Sequence, residues 1–515
     1  MRALLMYRDR DFELERKLPP NEQALTQDLE LGVLFNAMAR GDKFLLEVAR
    51  KALLSSLVDP DQILYRQNIL KDCLKNSYAV RDTYKIAIDA IVGERGVWGW
   101  DNPFKSTDQI LGRAVRVLQV LVGKLKELRD VADQHAGKFE SEGFRAFFAM
   151  LKEELSDEYI ASIQGHLGEL QFRGGALISA ELGKGNKGTN YTLSKKQDKQ
   201  DKKQGWMSRV FGKNGPDQYT FTLDVNDETG PEMLAELRDR GLNNLANALA
   251  QSSDYVLGFF NALRTELAFY VACLNLHEAL AQRGEPTCFP SPVGRGKRAQ
   301  SFEGLYDACL ALKLEQMVVG NDANAENKDL VIITGANRGG KSTFLRSIGL
   351  AQLMMQCGAF VPAESFSSDV RDGLFTHFRR EEDPTMRSGK LDEELSRMSD
   401  LVDHLSSNCI VLFNESFAAT NEREGSEIAR QIVRALLEKG VKVFFVTHQY
   451  EFARGLYEKK MANALFLHAE RKPGGERTFK VIQGEPLQTS YGEDLYNRIF
   501  LGTALSAGST TSVTS

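Results

Sequence analysis

One stretch of eighteen residues constrains the fold of this chain more than any other. Residues 330–347, LVIITGANRGGKSTFLRS, join an apolar strand-like run, a glycine-rich turn and the start of a helix. The turn fits the pattern G-x-x-x-x-G-K-[ST] from Gly335 to Ser342, in which glycines let backbone N–H groups surround a phosphate. The pattern therefore predicts an α/β domain with a phosphate site at the end of a buried strand.

Each residue of this loop has an expected role in binding ATP. Lys341 reaches the β- and γ-phosphates, and Ser342 binds Mg²⁺ through its hydroxyl. A purely structural loop is the alternative, and the apolar strand before the pattern and the helix after it disfavour that alternative. The remaining nucleotide contacts are expected from Gly335, Asn337, Gly339, Gly340 and Thr343.

A second apolar run, residues 409–416 (CIVLFNES), ends where a P-loop ATPase carries acidic residues. Such a strand normally ends in an Asp that holds the Mg²⁺ shell, and Asn414 occupies that place. Glu415 follows and is expected to orient or deprotonate the attacking water. Asn414 can still accept a hydrogen bond from a metal-bound water. Its missing charge therefore predicts weaker Mg²⁺ binding and slower turnover, but does not exclude either.

The next apolar run ends in VTHQ, which places His448 at the carboxyl end of a strand. In a parallel sheet such a position faces the nucleotide crevice. Taken alone, this placement is weak evidence. Because His448 follows the phosphate loop and Glu415 in the expected order, we interpret it as a sensor of the γ-phosphate.

The remainder of the chain divides into a helical part and an alternating part. With 515 residues the chain is too long for a single core. Residues 22–170 and 231–284 repeat apolar positions every three to four residues, which is typical of amphipathic helices in a bundle core. From about residue 295 strands and helices alternate, which predicts a largely parallel sheet. The predicted fold class is multidomain, with an all-α domain followed by an α/β P-loop ATPase domain.

A basic segment interrupts the helical part. After a β-like run at residues 176–182, nine Lys or Arg and only two Asp occur between Lys184 and Lys213. One interpretation is a solvated flexible loop, which charge alone favours. The other is a contact with a phosphate backbone that gains from counterion release. The net charge of −5 excludes polyanion binding by overall composition, so any nucleic-acid site must be a local patch.

The sequence also predicts the compartment. The six cysteines are scattered without a C-x-x-C pair, which favours reduced thiols and no metal site. No apolar run reaches the roughly 18 residues of a membrane span, and the charged N-terminus has no signal-peptide core. We therefore expect a cytoplasmic protein without a membrane partner.

Four motifs in order resemble those of the MutS family of DNA mismatch-repair proteins. Residues 334–366 resemble its T-G-x-N-x-G-G-K-S-T segment with the following helix and V-P-A run, and residues 386–395 (MRSGKLDEEL) its R-S-T-F-x-x-E segment. Residues 446–452 (VTHQYEF) are similar to A-T-H-x-x-E-L, and residues 489–492 (TSYG) to S-Y-G. Residues 59–76 and 249–280 resemble, more weakly, the family's helical core domain.

The resemblance implies an ABC-type ATPase domain that forms a homodimer, in which Ser388 of the partner subunit approaches the γ-phosphate. It places the basic segment where the family's DNA-gripping clamp lies, and so favours DNA contact by Lys195, Lys196, Lys199, Lys202 and Lys203. The implied domains are an N-terminal segment (1–21), a core and lever domain (22–290) with a clamp-like insert (about 171–228), an ATPase domain similar to MutS domain V (291–502) and a disordered tail (503–515).

Two departures limit what the resemblance implies. The family motif D-E-x-G-R-G-T-S-T-x-D-G corresponds here to residues 414–425 (NESFAATNEREG), which keep Glu415, Thr420 and Gly425 but not the Asp or the glycine-rich centre. The mismatch-reading motif Phe-x-Glu has no match before residue 285. We therefore expect an ATPase-driven clamp in DNA repair or recombination that reads DNA shape rather than mismatches.

Two other function classes compete with this interpretation. An ABC- or SMC-like ATPase of another family would need an L-S-G-G-Q signature, which the sequence does not contain. An ATP-gated, slowly hydrolysing scaffold that contacts proteins rather than DNA agrees with Asn414 and with the acidic overall charge. The basic segment argues against this scaffold.

Overall fold

The structure, a computed structural model, describes residues 1–97, 107–170, 177–182, 188–194, 230–314, 316–380, 389–472 and 477–487. The chain divides into two compact units. The helical unit contains residues 1–3, 81–138 and 146–264. The α/β unit contains residues 4–80, 139–145 and those from 265 onward. Helical residues near the N-terminus thus share a unit with the strands of the second half of the chain.

The N-terminal region is helical, as the apolar periodicity predicts. Asp42 starts one helix by accepting hydrogen bonds from the backbone N–H groups of Phe44 and Leu45, and Asp59 followed by Pro60 starts the next. The helices are α1 (Glu22–Asp28), α2 (Leu31–Ala39), α3 (Lys43–Leu54), α4 (Pro60–Lys75), α5 (Ser77–Gly96), α6 (Thr107–His135), α7 (Glu142–Glu154), α8 (Asp157–Glu169) and α9 (Gly230–Ala281).

Part of helix α9 has the length and composition of a membrane span. Its portion Leu242–Ala281 is long and apolar enough to cross a bilayer by length and composition alone. However, 61% of its most apolar window is buried inside the protein. The core helix of a water-soluble protein passes the same test, so the helix is weak evidence for a membrane.

Two strands that pair with each other lie between α8 and α9 in the sequence, and the second falls within the basic segment. Strand β1 (Leu177–Leu182) pairs antiparallel with β2 (Gly188–Ser194). The first strand confirms the β-like run of the sequence. The second corrects the flexible-loop interpretation for its own residues, because they form a strand that pairs with β1. Thr, Tyr and Leu in the sequence GTNYTLS agree with this, since Thr and Tyr favour strands.

Strands and helices alternate in the second half of the chain. Its strands are β3 (Ser291–Val293), β4 (Gln300–Leu305), β5 (Asn321–Asn324), β6 (Leu330–Thr334), β7 (Ser365–Asp369), β8 (Leu374–Phe378), β9 (Ile410–Asn414), β10 (Lys442–Val446), β11 (Ala464–Arg471) and β12 (Arg477–Gln483). Its helices are α10 (Ala308–Lys313), α11 (Lys341–Gln356), α12 (Lys390–Asp403), α13 (Glu422–Glu438) and α14 (Tyr450–Tyr457).

The larger sheet has the strand order β12-β11-β6-β10-β9-β8. All its pairings are parallel except that between β11 and β12. Strands β6 and β10 are buried along their whole length, as expected for a sheet with both faces covered. The carboxyl ends of β6, β9 and β10 therefore meet at one edge. The fold class is confirmed as a helical region followed by a mixed α/β sheet domain.

A second, four-stranded sheet was not expected from the sequence. Its order is β3-β7-β4-β5, with both parallel and antiparallel pairings. Polar residues such as Ser365, Ser367 and Asn324 occupy these short strands, so they lack the apolar runs that mark the larger sheet.

The N-terminal segment is held within the α/β unit by buried polar side chains. Glu266 of α9 accepts hydrogen bonds from the backbone N–H groups of Leu5, Met6 and Phe12, at 2.6, 3.3 and 3.0 Å. Burial raises the pKa of Glu266 to about 7, although these donors favour its charged form. The guanidinium of Arg66, fully buried, donates to the Met6 carbonyl at 2.8 Å. The segment thus has its backbone groups satisfied by side chains.

Candidate nucleotide site

The glycine-rich loop joins β6 to α11 in close contact with β11. Gly335 has φ +119° and Gly340 has φ +91°. Residues other than glycine rarely adopt these positive φ values. A Cβ at Gly335 would lie 2.9 Å from the Cβ and backbone N of Ala469, and one at Gly339 would lie 2.9 Å from the same Cβ. Glycine is therefore required both for conformation and for space.

Lys341 points back into the loop. Its Nζ donates hydrogen bonds to the carbonyls of Gly335 and Ala336, both at 2.9 Å, and lies 3.3 Å from Nε2 of His448. Burial lowers the pKa of Lys341 to about 8, and the nearby Glu415 carboxylate opposes this shift. A phosphate that entered the loop would favour the charged amine.

Glu415 and His448 meet at the edge of the sheet. Strands β9 and β10 pair in register, with Asn414 opposite Val446, so the residues that follow them are neighbours. Oε1 of Glu415 lies 2.9 Å from Nε2 of His448. The hydrogen bond from His448 lowers the pKa of Glu415, which is therefore ionised near neutral pH. The acidic residue, the histidine and Lys341 thus form one connected group.

Ser342 and Asn414 bring two side-chain oxygen atoms together beside the phosphate loop. The Ser342 hydroxyl donates to Oδ1 of Asn414 at 2.9 Å. Both are oxygen ligands of the kind that Mg²⁺ prefers. Among the residues that the structure describes, no group of three or more His, Cys, Asp or Glu side chains could hold a metal. The pair therefore fits a Mg²⁺ ion that takes most of its ligands from phosphate and water.

The other predicted site residues differ in how far the structure locates them. Asn337 is exposed at the tip of the loop, and Thr343 is half-buried in the first turn of α11. Ser388 and the TSYG motif lie outside the described residues. The same holds for the candidate DNA-binding lysines, Lys195, Lys196, Lys199, Lys202 and Lys203.

One residue within the turn after β9 and two that contact it were not predicted from the sequence. His377 in β8 and Ser416 are buried, with Nδ1 of His377 2.8 Å from the Ser416 hydroxyl. Gln449 donates from Nε2 to the Phe417 carbonyl at 2.9 Å. The one sequence signal for His377 was a polar ring inside the apolar run LFTHF.

Two family models match this chain. The MutS2 N-terminal domain matches residues 58–283, and MutS domain V matches residues 331–503. Between them, these two ranges contain most of the helical region and the larger sheet of the α/β part, but not strands β3 to β5. The second range includes the phosphate loop, Glu415 and His448.

Similar curated proteins are named as DNA mismatch repair proteins. MutS from Lactobacillus delbrueckii subsp. bulgaricus is 29% identical over 266 residues, covering 48% of this chain and 31% of that protein. HexA from Streptococcus pneumoniae is 25% identical over 286 residues, covering 53% of this chain and 33% of that protein. This chain thus spans about a third of the length of these relatives.

Proposed function

Because this chain belongs to the MutS family, we propose that it is an ATP-dependent DNA-binding protein, an ATPase-driven clamp that acts in DNA repair or recombination. One observation carries the ATPase part of the proposal. At the carboxyl edge of the sheet, His448 lies within hydrogen-bonding distance of both Lys341 and Glu415. A cation, a general base and a polar sensor around a phosphate-binding loop are the groups that ATP hydrolysis needs.

ATP would bind on the loop from Gly335 to Thr343. Its phosphates would accept hydrogen bonds from the loop N–H groups and from the start of α11. Lys341 would exchange the two carbonyls that it contacts for β- and γ-phosphate oxygens. That exchange is favourable because a buried ammonium gains more from an anionic partner than from neutral carbonyls.

Ser342 and Asn414 would hold Mg²⁺ together with phosphate oxygens. When bound, the ion would neutralise negative charge on the β- and γ-phosphates. Asn414 contributes an uncharged oxygen where an acidic residue would add a negative charge, so the ion is held less tightly. We therefore propose slow hydrolysis.

Glu415 would orient the attacking water and accept its proton. The low pKa of its carboxyl keeps it ionised and ready to accept a hydrogen bond. His448, which contacts both Glu415 and Lys341, would respond to the γ-phosphate between them. Loss of that phosphate after hydrolysis would return Lys341 to the loop carbonyls.

We propose that the protein works as a cytoplasmic homodimer on DNA. Ser388 of the partner subunit would approach the γ-phosphate, as the family resemblance implies. The lysines of the basic segment would contact DNA phosphates, which position a protein on DNA without reading sequence. The names of the relatives, which are DNA mismatch repair proteins, support a role in DNA metabolism.

Steady-state ATP hydrolysis, measured with no DNA, with duplex DNA and with branched DNA, tests this function. We expect slow hydrolysis that DNA changes and that Glu415→Ala reduces by at least about a hundredfold. Glu427→Ala is the matched control, because Glu427 is exposed on α13 and pairs with Arg430 away from the loop. No hydrolysis by the wild type, or an equal rate for Glu415→Ala, would reject the enzyme.

A second candidate is an ATP-gated scaffold that hydrolyses ATP very slowly and contacts proteins rather than DNA. The hydrogen bond between Ser342 and the neutral Asn414 favours it, because no charge attracts the metal there. ATP binding without measurable turnover, together with no DNA binding at low salt, would favour the scaffold. DNA-dependent changes in turnover would exclude it.

A further inference from the structure

The turn that carries Glu415 has an unfavourable backbone conformation. Glu415 has φ +56° and Phe417 has φ +60°, both in the left-handed region that residues other than glycine rarely adopt. The related motif D-E-x-G-R-G has glycine at the position of Phe417. Such a conformation persists only where surrounding contacts maintain it. The structure must therefore contain groups that hold this turn.

His377 is the residue that contacts both halves of the turn. The Ser416 hydroxyl lies 2.5 Å from the His377 carbonyl oxygen and 2.8 Å from Nδ1 of His377, so its single proton is shared between these two acceptors. The imidazole also stacks on the Phe417 ring, with centroids 5.2 Å apart and planes 20° apart. His377 thus contacts Ser416 through its carbonyl and its imidazole, and contacts Phe417 through ring stacking.

The other side of the imidazole faces α12. Its Nε2 lies 3.0 Å from the carbonyl of Glu394. Burial lowers the pKa of His377 to about 4, and the positive charge of Arg397 acts in the same direction. The ring is therefore neutral near pH 7 and carries a single N–H. With that proton on Nε2 the ring donates to the Glu394 carbonyl, and Nδ1 accepts from the Ser416 hydroxyl. It connects α12 to the turn after β9.

Ser416 and Phe417 direct Glu415 through the chain itself. The backbone N–H of Glu415 donates to the Val446 carbonyl at 2.9 Å, and its carboxylate reaches His448. A turn that relaxed to ordinary φ values would rotate this carboxylate away from His448 and Lys341. Displacements of about 1 Å at a reacting group can cost about a hundredfold in rate.

We propose that His377 and Ser416 are positioning residues for ATP hydrolysis, which hold the turn that directs Glu415 toward the γ-phosphate. This inference rests on the proposed ATPase function. Neither residue lies on the phosphate loop, so ATP binding does not depend on them. Turnover does, because it needs Glu415 in place.

The test uses His377→Ala, His377→Asn and Ser416→Ala in the full chain, with kcat, KM and the ATP dissociation constant measured for each. We expect kcat to fall about tenfold to a hundredfold for the two alanine variants, with ATP affinity within about twofold of wild type. His377→Asn should recover part of the loss, since an amide can still bond the Ser416 hydroxyl.

Ser368→Ala is the matched control. It also removes a buried hydroxyl, which donates to Oε1 of Gln352 at 2.8 Å, but it lies in β7 of the smaller sheet. Its kcat should equal that of wild type. A similar loss of kcat in this control would show that general destabilisation, not positioning, explains the effect.

A combined variant separates positioning from a purely structural role. If Ser416 acts through Glu415, adding Ser416→Ala to Glu415→Gln causes no further loss of kcat. A further tenfold loss, or wild-type kcat in both alanine variants, would overturn the inference and leave the ATPase intact. A wild type that hydrolyses no ATP would overturn the proposed function, and this inference with it.

Discussion

At the scale of single residues, Lys341 shows how the protein satisfies a buried cation before ATP arrives. The residue is 4% exposed, and its ammonium donates to two loop carbonyls. Carbonyl dipoles compensate only part of the desolvation of a buried charge, which is why its pKa falls to about 8. The amine is therefore partly deprotonated in mildly alkaline solution.

This shift predicts a pH dependence of ATP binding. The amine of the free site loses its proton as the pH rises through about 8, whereas bound phosphates favour the protonated form. ATP affinity should therefore fall about tenfold between pH 7 and pH 9. Binding near pH 9 should take up about one proton, measurable by calorimetry in buffers of different ionisation enthalpy.

Lys341→Arg supplies the control for proton uptake. A guanidinium stays charged throughout this pH range, so the variant should show no proton uptake at pH 9. Its absolute affinity reflects the larger side chain, but the affinity should not depend on pH in this range. Proton uptake that persists in the variant would assign the effect to another group.

Asn414 predicts a second effect at this scale. Asn414→Asp adds a negative charge beside the Ser342 hydroxyl and should lower the Mg²⁺ concentration needed for half-maximal hydrolysis by roughly tenfold. Turnover should rise as well. Rates measured across a Mg²⁺ titration test both effects. Lower turnover would mean that the amide is a tuned part of this site, not a weakened ligand.

At the scale of elements, helix α13 approaches the turn after β9 through a glycine. A Cβ at Gly425 would lie 2.3 Å from the Phe417 carbonyl oxygen and 2.5 Å from Nε2 of Gln449. These two groups are hydrogen-bonded to each other at 2.9 Å. Helix α13 can therefore pack against the turn only if residue 425 has no side chain. This gives a steric reason for the glycine that Gly425 shares with the family motif.

Gly425→Ala should accordingly destabilise the protein by about 2 kcal/mol or more and reduce turnover, because α13 or the turn must shift. Thermal unfolding and kcat measure the two effects. Gly455→Ala is the control, since Gly455 is also inside a helix and its nearest contact is an Arg430 side-chain nitrogen at 3.7 Å. That substitution should be neutral or stabilising by about 0.5–1 kcal/mol.

At the scale of the whole molecule, the two compact units combine distant parts of the chain. Residues 4–80 belong to the same unit as the strands after residue 265, whereas the intervening helices form the other unit. The boundary near residue 290 between a core and lever domain and an ATPase domain stays a prediction. DNA binding is also a property of the whole molecule, and the five lysines predicted to contact DNA lie between β2 and α9 in the sequence.

Charge reversal of these lysines tests DNA contact. Replacing all five with Glu should weaken duplex binding and reduce the slope of log affinity against log salt by up to about four. Binding isotherms at several salt concentrations measure both. The control reverses five lysines that are exposed elsewhere, Lys43, Lys297, Lys439, Lys459 and Lys460. Unchanged affinity and slope in the first variant would remove the segment from the DNA site.

The sequence by itself determined what depends on neighbours along the chain. Local spacing was enough to predict the strand, glycine loop and helix at residues 330–347 and the helical N-terminal region. It was also enough to place Glu415 after one strand and His448 after another. Their mutual approach followed as well, because parallel strands bring their carboxyl ends to one edge.

Only the tertiary structure decided which residues support that edge. His377 and Ser416 are 39 residues apart and meet because β8 pairs with β9 in one register. The second sheet depends on long-range pairing in the same way, and so do the buried hydrogen bonds between Glu266 and the N-terminal segment. Periodicity records which face of an element is apolar, whereas the partner across that face is chosen by packing, which no local pattern encodes.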